Sequence, residues 1–237
     1  MIVLSIDTCD SRGSVALLRD DAVLGLLPHE TKEEYSSWLL PAVNGVLKDA
    51  RLRMSDVDGY GAAAGPGSFT GVRVGLTTVK AWAEVYGKPV AAISRLEAIA
   101  AQVARPPGYV AAFLDARRGQ VFGAVYQREG ENLAMLGEEM VIGPGKFVEA
   151  STDLANGEKI SWVSPDAALV EADPAWKGRE KRGESIEAAS PILAGIIGRI
   201  GMRRLQSGNS TDALGLDANY VRRSDAEIFW KGVAHDH

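Results

Sequence analysis

A chain of 237 residues has room for one large domain or for two lobes of about 100 residues, each able to bury a core of its own. With 46% hydrophobic and 24% charged residues it reads as folded rather than disordered. A net charge of −5, from 26 Lys and Arg against 31 Asp and Glu, argues against an autonomous nucleic-acid binder, because such proteins use basic surface to displace counterions from phosphates.

Ile2 to Ile6 reads as a strand ending at Asp7. The turn Asp10-Ser11-Arg12-Gly13 leads into a second run, Ser14 to Leu18, and Asp20-Asp21 into a third, Val23 to Leu27, so an antiparallel meander is predicted. A strand starting at Ile2 leaves no secretory pattern, no apolar run reaches the about 18 residues of a membrane span, and Cys9 alone cannot form an intramolecular disulfide. The cytoplasm is the expected compartment. Cys9 has no histidine near it in sequence and reads as a buried thiol.

Thr31 and Glu34 are spaced as a capping box for a helix with apolar positions Tyr35, Trp38, Leu39, Ala42, Val43, Val46, Leu47 and Ala50. Pro41 inside this stripe predicts a kink or a split. A strand near Tyr60 to Ala64, a helix from Thr70 to Tyr86, a strand at Val90 to Ile93 and a helix at Arg95 to Ala104 follow. Three antiparallel strands and then helix, strand, helix, strand is a ribonuclease-H-like order. Arg105-Pro106-Pro107-Gly108 breaks the chain and divides it into lobes at 1–105 and 106–237.

After the break the opening pattern returns. Val110 to Leu114 ends at Asp115, and Arg118-Gly119 turns into Gln120 to Tyr126, as expected of a duplicated lobe. Further on, helices are predicted at Gly145 to Ala155 and Ser190 to Leu205, with a strand at Ile160 to Val163. The charged span Glu171 to Gly183 reads as a solvated loop, and the tail from about residue 214 as a segment able to fold back on either lobe.

Between the fourth strand and the second helix lies Ala64-Gly65-Pro66-Gly67-Ser68-Phe69-Thr70-Gly71-Val72-Arg73. A glycine-rich strand-to-helix junction can present N–H groups to an anion, but the Walker spacing is absent: Val72 follows Gly71, and the nearest lysine is Lys80. Ser68 and Thr70 are read as turn and N-cap hydroxyls rather than nucleophiles. Gly65 to Leu76 resembles the signature of the TsaB (YeaZ) family, the dimerization subunit of the bacterial tRNA threonylcarbamoyladenosine-synthesis complex. The resemblance extends to Ile2 to Thr8, Leu39-Leu40-Pro41, Leu114 to Arg117 and Asn219 to Arg222. It implies a two-lobed actin-like, sugar-kinase-like (ASKHA) α/β fold, each lobe ribonuclease-H-like and the second reduced.

Asp7 and Asp115 end the first strand of each lobe, where such folds place carboxylates around magnesium-bound phosphate. With Gly65, Gly67 and Ser68 they are the nucleotide candidates. The competing reading has each aspartate cap a turn through backbone N–H groups. The resemblance implies that nucleotide chemistry has been lost and that ATP and metal sit on partner subunits, leaving the isolated chain without a cofactor. The catalytic paralogue, TsaD, carries a His-x-x-x-His pair on its first long helix. Here that helix reads Glu33 to Leu39 without histidine, and the histidines of the chain are His29, expected to face solvent, His235 and His237. Neither a metallopeptidase nor a Ser-His-Asp or Cys-His hydrolase is supported by this placement.

The Thr70 to Tyr86 helix has a narrow polar line, Arg73, Thr77, Lys80 and Glu84, and more apolar surface than one sheet requires. Core packing and a partner interface both account for that surplus. The resemblance favours the interface, with Tyr35, Trp38, Leu39, Val72, Gly75, Leu76, Thr78, Val79 and Trp82 as its residues. The expected function is a noncatalytic subunit supporting a TsaD-like transferase, with a TsaE-like ATPase as a further partner and tRNA met through the complex. A homodimer of the isolated chain is left open, and an independent ATP-dependent enzyme of the actin-like fold, such as a small-molecule kinase, is the alternative.

Overall fold

The computed structural model describes residues 1–20, 22–103 and 107–209. The break at Arg105-Pro106, the motif at Asn219 to Arg222, the tail from about residue 214, His235 and His237 lie outside them.

The first sheet opens with β1 (Ile2–Asp7), β2 (Ser14–Arg19) and β3 (Ala22–Pro28) as an antiparallel meander. Helix α1 (Tyr35–Asp49), β4 (Gly59–Ala63), α2 (Phe69–Tyr86) and β5 (Val90–Ile93) follow, with β4 parallel to β1 and β5 parallel to β4. The spatial order is β3-β2-β1-β4-β5. After α3 (Arg95–Ala100) the same plan recurs: β6 (Gly108–Arg117), β7 (Gln120–Glu129) and β8 (Asn132–Ile142) are antiparallel, and α4 (Pro144–Leu154) leads to β9 (Ile160–Ser164). Two short helices, α5 (Ala168–Glu171) and α6 (Trp176–Glu180), precede β10 (Ile186–Ala188), and the second sheet runs β10-β9-β6-β7-β8. Two sheets of one order, each ribonuclease-H-like, form the two-lobed actin-like plan.

The layers follow from which faces are apolar. Helices α1 and α2 cover the outer face of the first sheet, and α4 covers the outer face of the second through Phe147, which meets Phe113 at a tilt and Trp162 edge-on. Between the sheets lie α3 and α7 (Ala194–Gln206), with α3 on the second sheet and α7 on the first. Helix α7 therefore belongs to the first sheet by packing, although the division at 105/106 puts it in the second lobe. Small residues allow this: a Cβ on Gly198 would overlap Leu18, and one on Gly201 would stand 3.5 Å from the Gly61 Cα. Ser5 Oγ donates to the Ala194 carbonyl at 2.7 Å, and the Ala194 N–H donates to Ser14 Oγ at 3.1 Å.

Some local expectations are corrected. Thr31 and Glu34 form no capping box: the Glu33 N–H donates to Thr31 Oγ1 at 3.2 Å, and Glu34 is the N-cap without a side-chain bond. Helix α1 runs through Pro41 unsplit, with the proline on its exposed side. The span Glu171 to Gly183 is no solvated loop, because Trp176 is buried against Trp162 and Arg179 is buried in an ion pair with Glu184 at 3.0 Å. Among the described residues no helix is long and apolar enough to cross a membrane.

Candidate functional site

Strand β1 delivers Asp7 to the junction of the lobes with no solvent exposure. One carboxylate oxygen accepts the Cys9 N–H at 2.9 Å and the other accepts Arg95 Nε at 3.0 Å. Arg95 is held at the first position of α3 by Ser94, whose hydroxyl caps the helix by accepting the Leu96 and Glu97 N–H groups. Its other nitrogens reach the Pro66 carbonyl at 3.3 Å and Asp10 at 2.7 Å. Asp10 also binds Arg12 at 3.2 Å, and Arg12 forks onto both oxygens of Asp166 at 2.8 and 3.2 Å. Asp166 accepts the Asp115 N–H at 2.9 Å. One hydrogen-bonded network thus runs from Asp7 through Arg95, Asp10, Arg12 and Asp166 to Asp115, joining the first strands of the two sheets.

The electrostatics follow from this alternation of charge. Burial acts to raise the Asp10 carboxyl, but the charge and hydrogen bond of Arg95 outweigh it and hold the group below its ordinary value. Asp166 is held low in the same sense, burial being outweighed by the hydrogen bonds from Arg12 and the Asp115 N–H. Burial, and after it the charge of Asp7, pushes the Cys9 thiol well up.

Both aspartates form the turns that sequence reading weighed against metal binding. Asp7 accepts from the residue two positions on, and Asp115 accepts the Arg117 N–H at 2.6 Å while pairing with the Arg117 guanidinium at 3.1 Å. The glycine-rich loop packs down on the end of β1. The Ser68 N–H donates to the Cys9 carbonyl at 2.5 Å and the Gly71 N–H to Ser68 Oγ at 3.3 Å, which makes Ser68 the N-cap of α2. A Cβ on Gly67 would overlap the Cys9 carbonyl oxygen, and one on Gly71 that of Thr8. The Arg95 N–H donates to the Gly65 carbonyl at 2.7 Å. These residues do not fit a magnesium-bound nucleotide: Asp7 is engaged through both oxygens, and the loop glycines are spent on close packing against the strand. Among the described residues no three His, Cys, Asp or Glu side chains are grouped to hold a metal ion.

The outer helical face divides the interface candidates. Trp38, Leu39, Val72, Gly75, Leu76 and Val79 are buried against the first sheet, so much of the apolar surplus on α2 is core. A Cβ on Gly75 would lie 2.5 Å from Thr8 Oγ1, so the small residues of α2 admit a strand end rather than a second helix. Tyr35, Thr78 and Trp82 are half-buried and border the surface. Tyr35 donates to the Asp10 carbonyl and accepts the Gly13 N–H at 2.9 Å, and Trp82 rests on Tyr60 with ring centroids 5.8 Å apart. His29 is not simply solvent-facing; its ring meets Tyr35 at a tilt and Trp38 edge-on, with centroids 4.5 and 4.9 Å away. The exposed apolar residues of this face are Leu40, Phe69, Val85 and Tyr86. Leu40, 56% exposed, separates a groove of about 530 Å³ between α1 and α2 from one of about 460 Å³ that reaches Met54 and Trp82.

Sequence reading missed Arg95, Asp10, Arg12 and Asp166 as members of the junction, and Leu40 and Phe69 as exposed apolar positions. An arginine opening a short helix whose other residues, Glu97 apart, are apolar was the one available signal.

A sequence-family model described as TsaD, tRNA N6-adenosine threonylcarbamoyltransferase, matches residues 17–176. The chain is 39% identical over 127 residues to the tRNA threonylcarbamoyladenosine biosynthesis protein TsaB of Bacillus subtilis, covering 54% of this chain and 56% of that protein. It is 36% identical over 144 residues to the Escherichia coli protein of the same name, covering 59% and 60%. The match thus spans under two thirds of the length of either relative. Among solved structures, YeaZ from Pseudomonas aeruginosa superposes with a TM-score of 0.70 at 25% identity, covering 92% of this chain and 99% of that one.

Proposed function

The chain belongs to the TsaB (YeaZ) family, within the wider group that the TsaD transferase model describes, and from this membership we propose that it is a noncatalytic subunit in the threonylcarbamoyl modification of tRNA adenosine. Its role is to pair with and support a TsaD-like transferase through the outer face of α1 and α2. Carrying this reading is the ridge of Leu40 between two grooves, with Phe69 exposed in one of them and Val85 and Tyr86 exposed at the far end of α2: large apolar side chains rimmed by polar ones suit a protein partner. The engagement of Asp7 by Arg95 supports a chain without nucleotide chemistry of its own, so ATP and metal belong to the partners, among them a TsaE-like ATPase, in the cytoplasm. The net charge of −5 supports contact with tRNA through the complex. A second copy of the chain is the natural occupant of the same face when the partner is absent.

The test is titration calorimetry with the TsaD-like protein of the same genome. Leu40→Glu places a charge on the ridge and is expected to weaken binding at least about tenfold, with melting of the free chain unchanged. Equal binding by wild type and variant would place the interface elsewhere.

A further inference from the structure

Arg95, Arg179 and Arg128 are the arginines more than nine-tenths buried among the described residues. Arg95 meets Asp7 and Asp10, and Arg179 meets Glu184, so each has a carboxylate close by. Arg128, on β7, has none among the described residues. One terminal nitrogen donates to the Ala100 carbonyl at 2.6 Å, the other to the Gly130 carbonyl at 3.4 Å, and Nε has no partner. Burial alone acts on this guanidinium and draws its pKa below the ordinary arginine value. A buried cation without a counter-charge is costly, and folded chains normally supply one.

Beside Arg128 lies a cavity of about 600 Å³, walled by the segment after α3, the β7–β8 turn and α7. Arg199 and Arg203 of α7 also line it, and Val103, Ile196 and Met202 supply apolar wall. Among the described residues its lining carboxylates are paired: Asp20 with the N-terminal ammonium at 2.7 Å and Glu131 with Arg203. Arg199 has no carboxylate partner among the described residues. The cavity is thus of ligand size, and it joins two arginines without a carboxylate partner among the described residues, buried Arg128 and exposed Arg199, to apolar wall from Val103, Ile196 and Met202.

We propose that this cavity binds a small organic anion carrying a phosphate or carboxylate group, with Arg128 as the buried anchor and Arg199 as the rim contact. The apolar wall takes the carbon body of the ligand. The site shares no lining residue with the grooves beside Leu40, and does not depend on the partner-subunit reading.

The test is titration calorimetry and thermal melting of the full chain, at low ionic strength in a buffer free of other oxyanions, with inorganic phosphate, AMP and citrate as probes. AMP or citrate is expected to bind with a Kd of about 1 mM or tighter and to raise the melting temperature, with bare phosphate weaker because it leaves the apolar wall uncovered. Comparison of AMP with citrate separates the phosphate source from the carboxylate source. Arg199→Ala, at an exposed position, should lower the affinity at least about tenfold without changing the melting of the free chain. Arg128→Met should abolish binding and, in the absence of anion, melt no lower than wild type, because it removes a charge that no described carboxylate compensates; Arg179→Met should melt lower. No saturable binding of any probe up to about 10 mM, or equal binding by wild type and Arg199→Ala, would overturn the proposal. Should Arg128→Met fail to fold, the Arg199→Ala titration decides.

Discussion

Arg95 and Asp7 meet at 3.0 Å with both side chains closed off from solvent, so the last residue of β1 and the first of α3 share one desolvated charge pair. Asp7 has lost its water and depends on that guanidinium and the Cys9 N–H. Arg95→Met should therefore destabilise the chain by about 3–5 kcal/mol, because removing one partner strands the other. Urea unfolding followed by tryptophan fluorescence measures it, and a loss below about 1 kcal/mol would mean that Asp7 is resolvated in the variant.

The same network predicts an acid limit. Asp10 and Asp166 titrate lower folded than the ordinary aspartate value of about 3.9, so the folded chain binds fewer protons than the unfolded one in that range. Their contribution is fully present above about pH 4 and is lost as pH falls toward the lower folded values. Urea midpoints from about pH 6 to about pH 3 should drop at the acid end, and Arg12→Gln should flatten the drop by releasing Asp166. An identical profile in the variant would remove Arg12 from the account.

Gly75 tests where the apolar surplus of α2 goes. A leucine there has to displace Thr8 Oγ1, which lies 2.5 Å from the position of its Cβ, so Gly75→Leu should destabilise the isolated chain by about 1–3 kcal/mol or more. From sequence alone the variant is expected to melt normally and to fail only in partner binding. Normal melting would restore that view and move Gly75 back to the surface.

Cys9 should be inert while the chain is folded. Its thiol is fully buried, burial and the charge of Asp7 push its pKa up, and its sulfur lies 3.6 Å from the Ala63 carbonyl. Iodoacetamide labelling should be negligible in native buffer and complete in denaturant. Full native labelling at the rate of a free thiol would show that the loop over Cys9 opens.

Much of the fold was legible because its signals are local. The meander, the strand at Val90–Ile93 and the repeat of strand, aspartate and turn at Asp7 and Asp115 are written in short apolar runs and turn residues. The short turn of helix at Trp176 was not legible, since a charged stretch hides the facts that Trp176 packs on Trp162 and that Arg179 finds Glu184. The junction was half legible. Asp7 stands out at a strand end, but its partner Arg95 is 88 residues away, and no spacing rule links them. The outer face was only partly legible for a related reason: helix periodicity counts apolar positions on α2 but does not say which of them meet Thr8 and Ile6.

Helix α7 has a consequence for how the molecule is made. The bond from Ser5 to Ala194 spans 189 residues, and the strands it helps to cover, β1 to β5, are all synthesised by residue 93. A chain emerging from the ribosome carries the complete first sheet with its inner face bare until α7 follows, about a hundred residues later. The first lobe therefore cannot mature ahead of the second during translation. It is completed only when the last described helix packs on it, after the strands of the second sheet have been made.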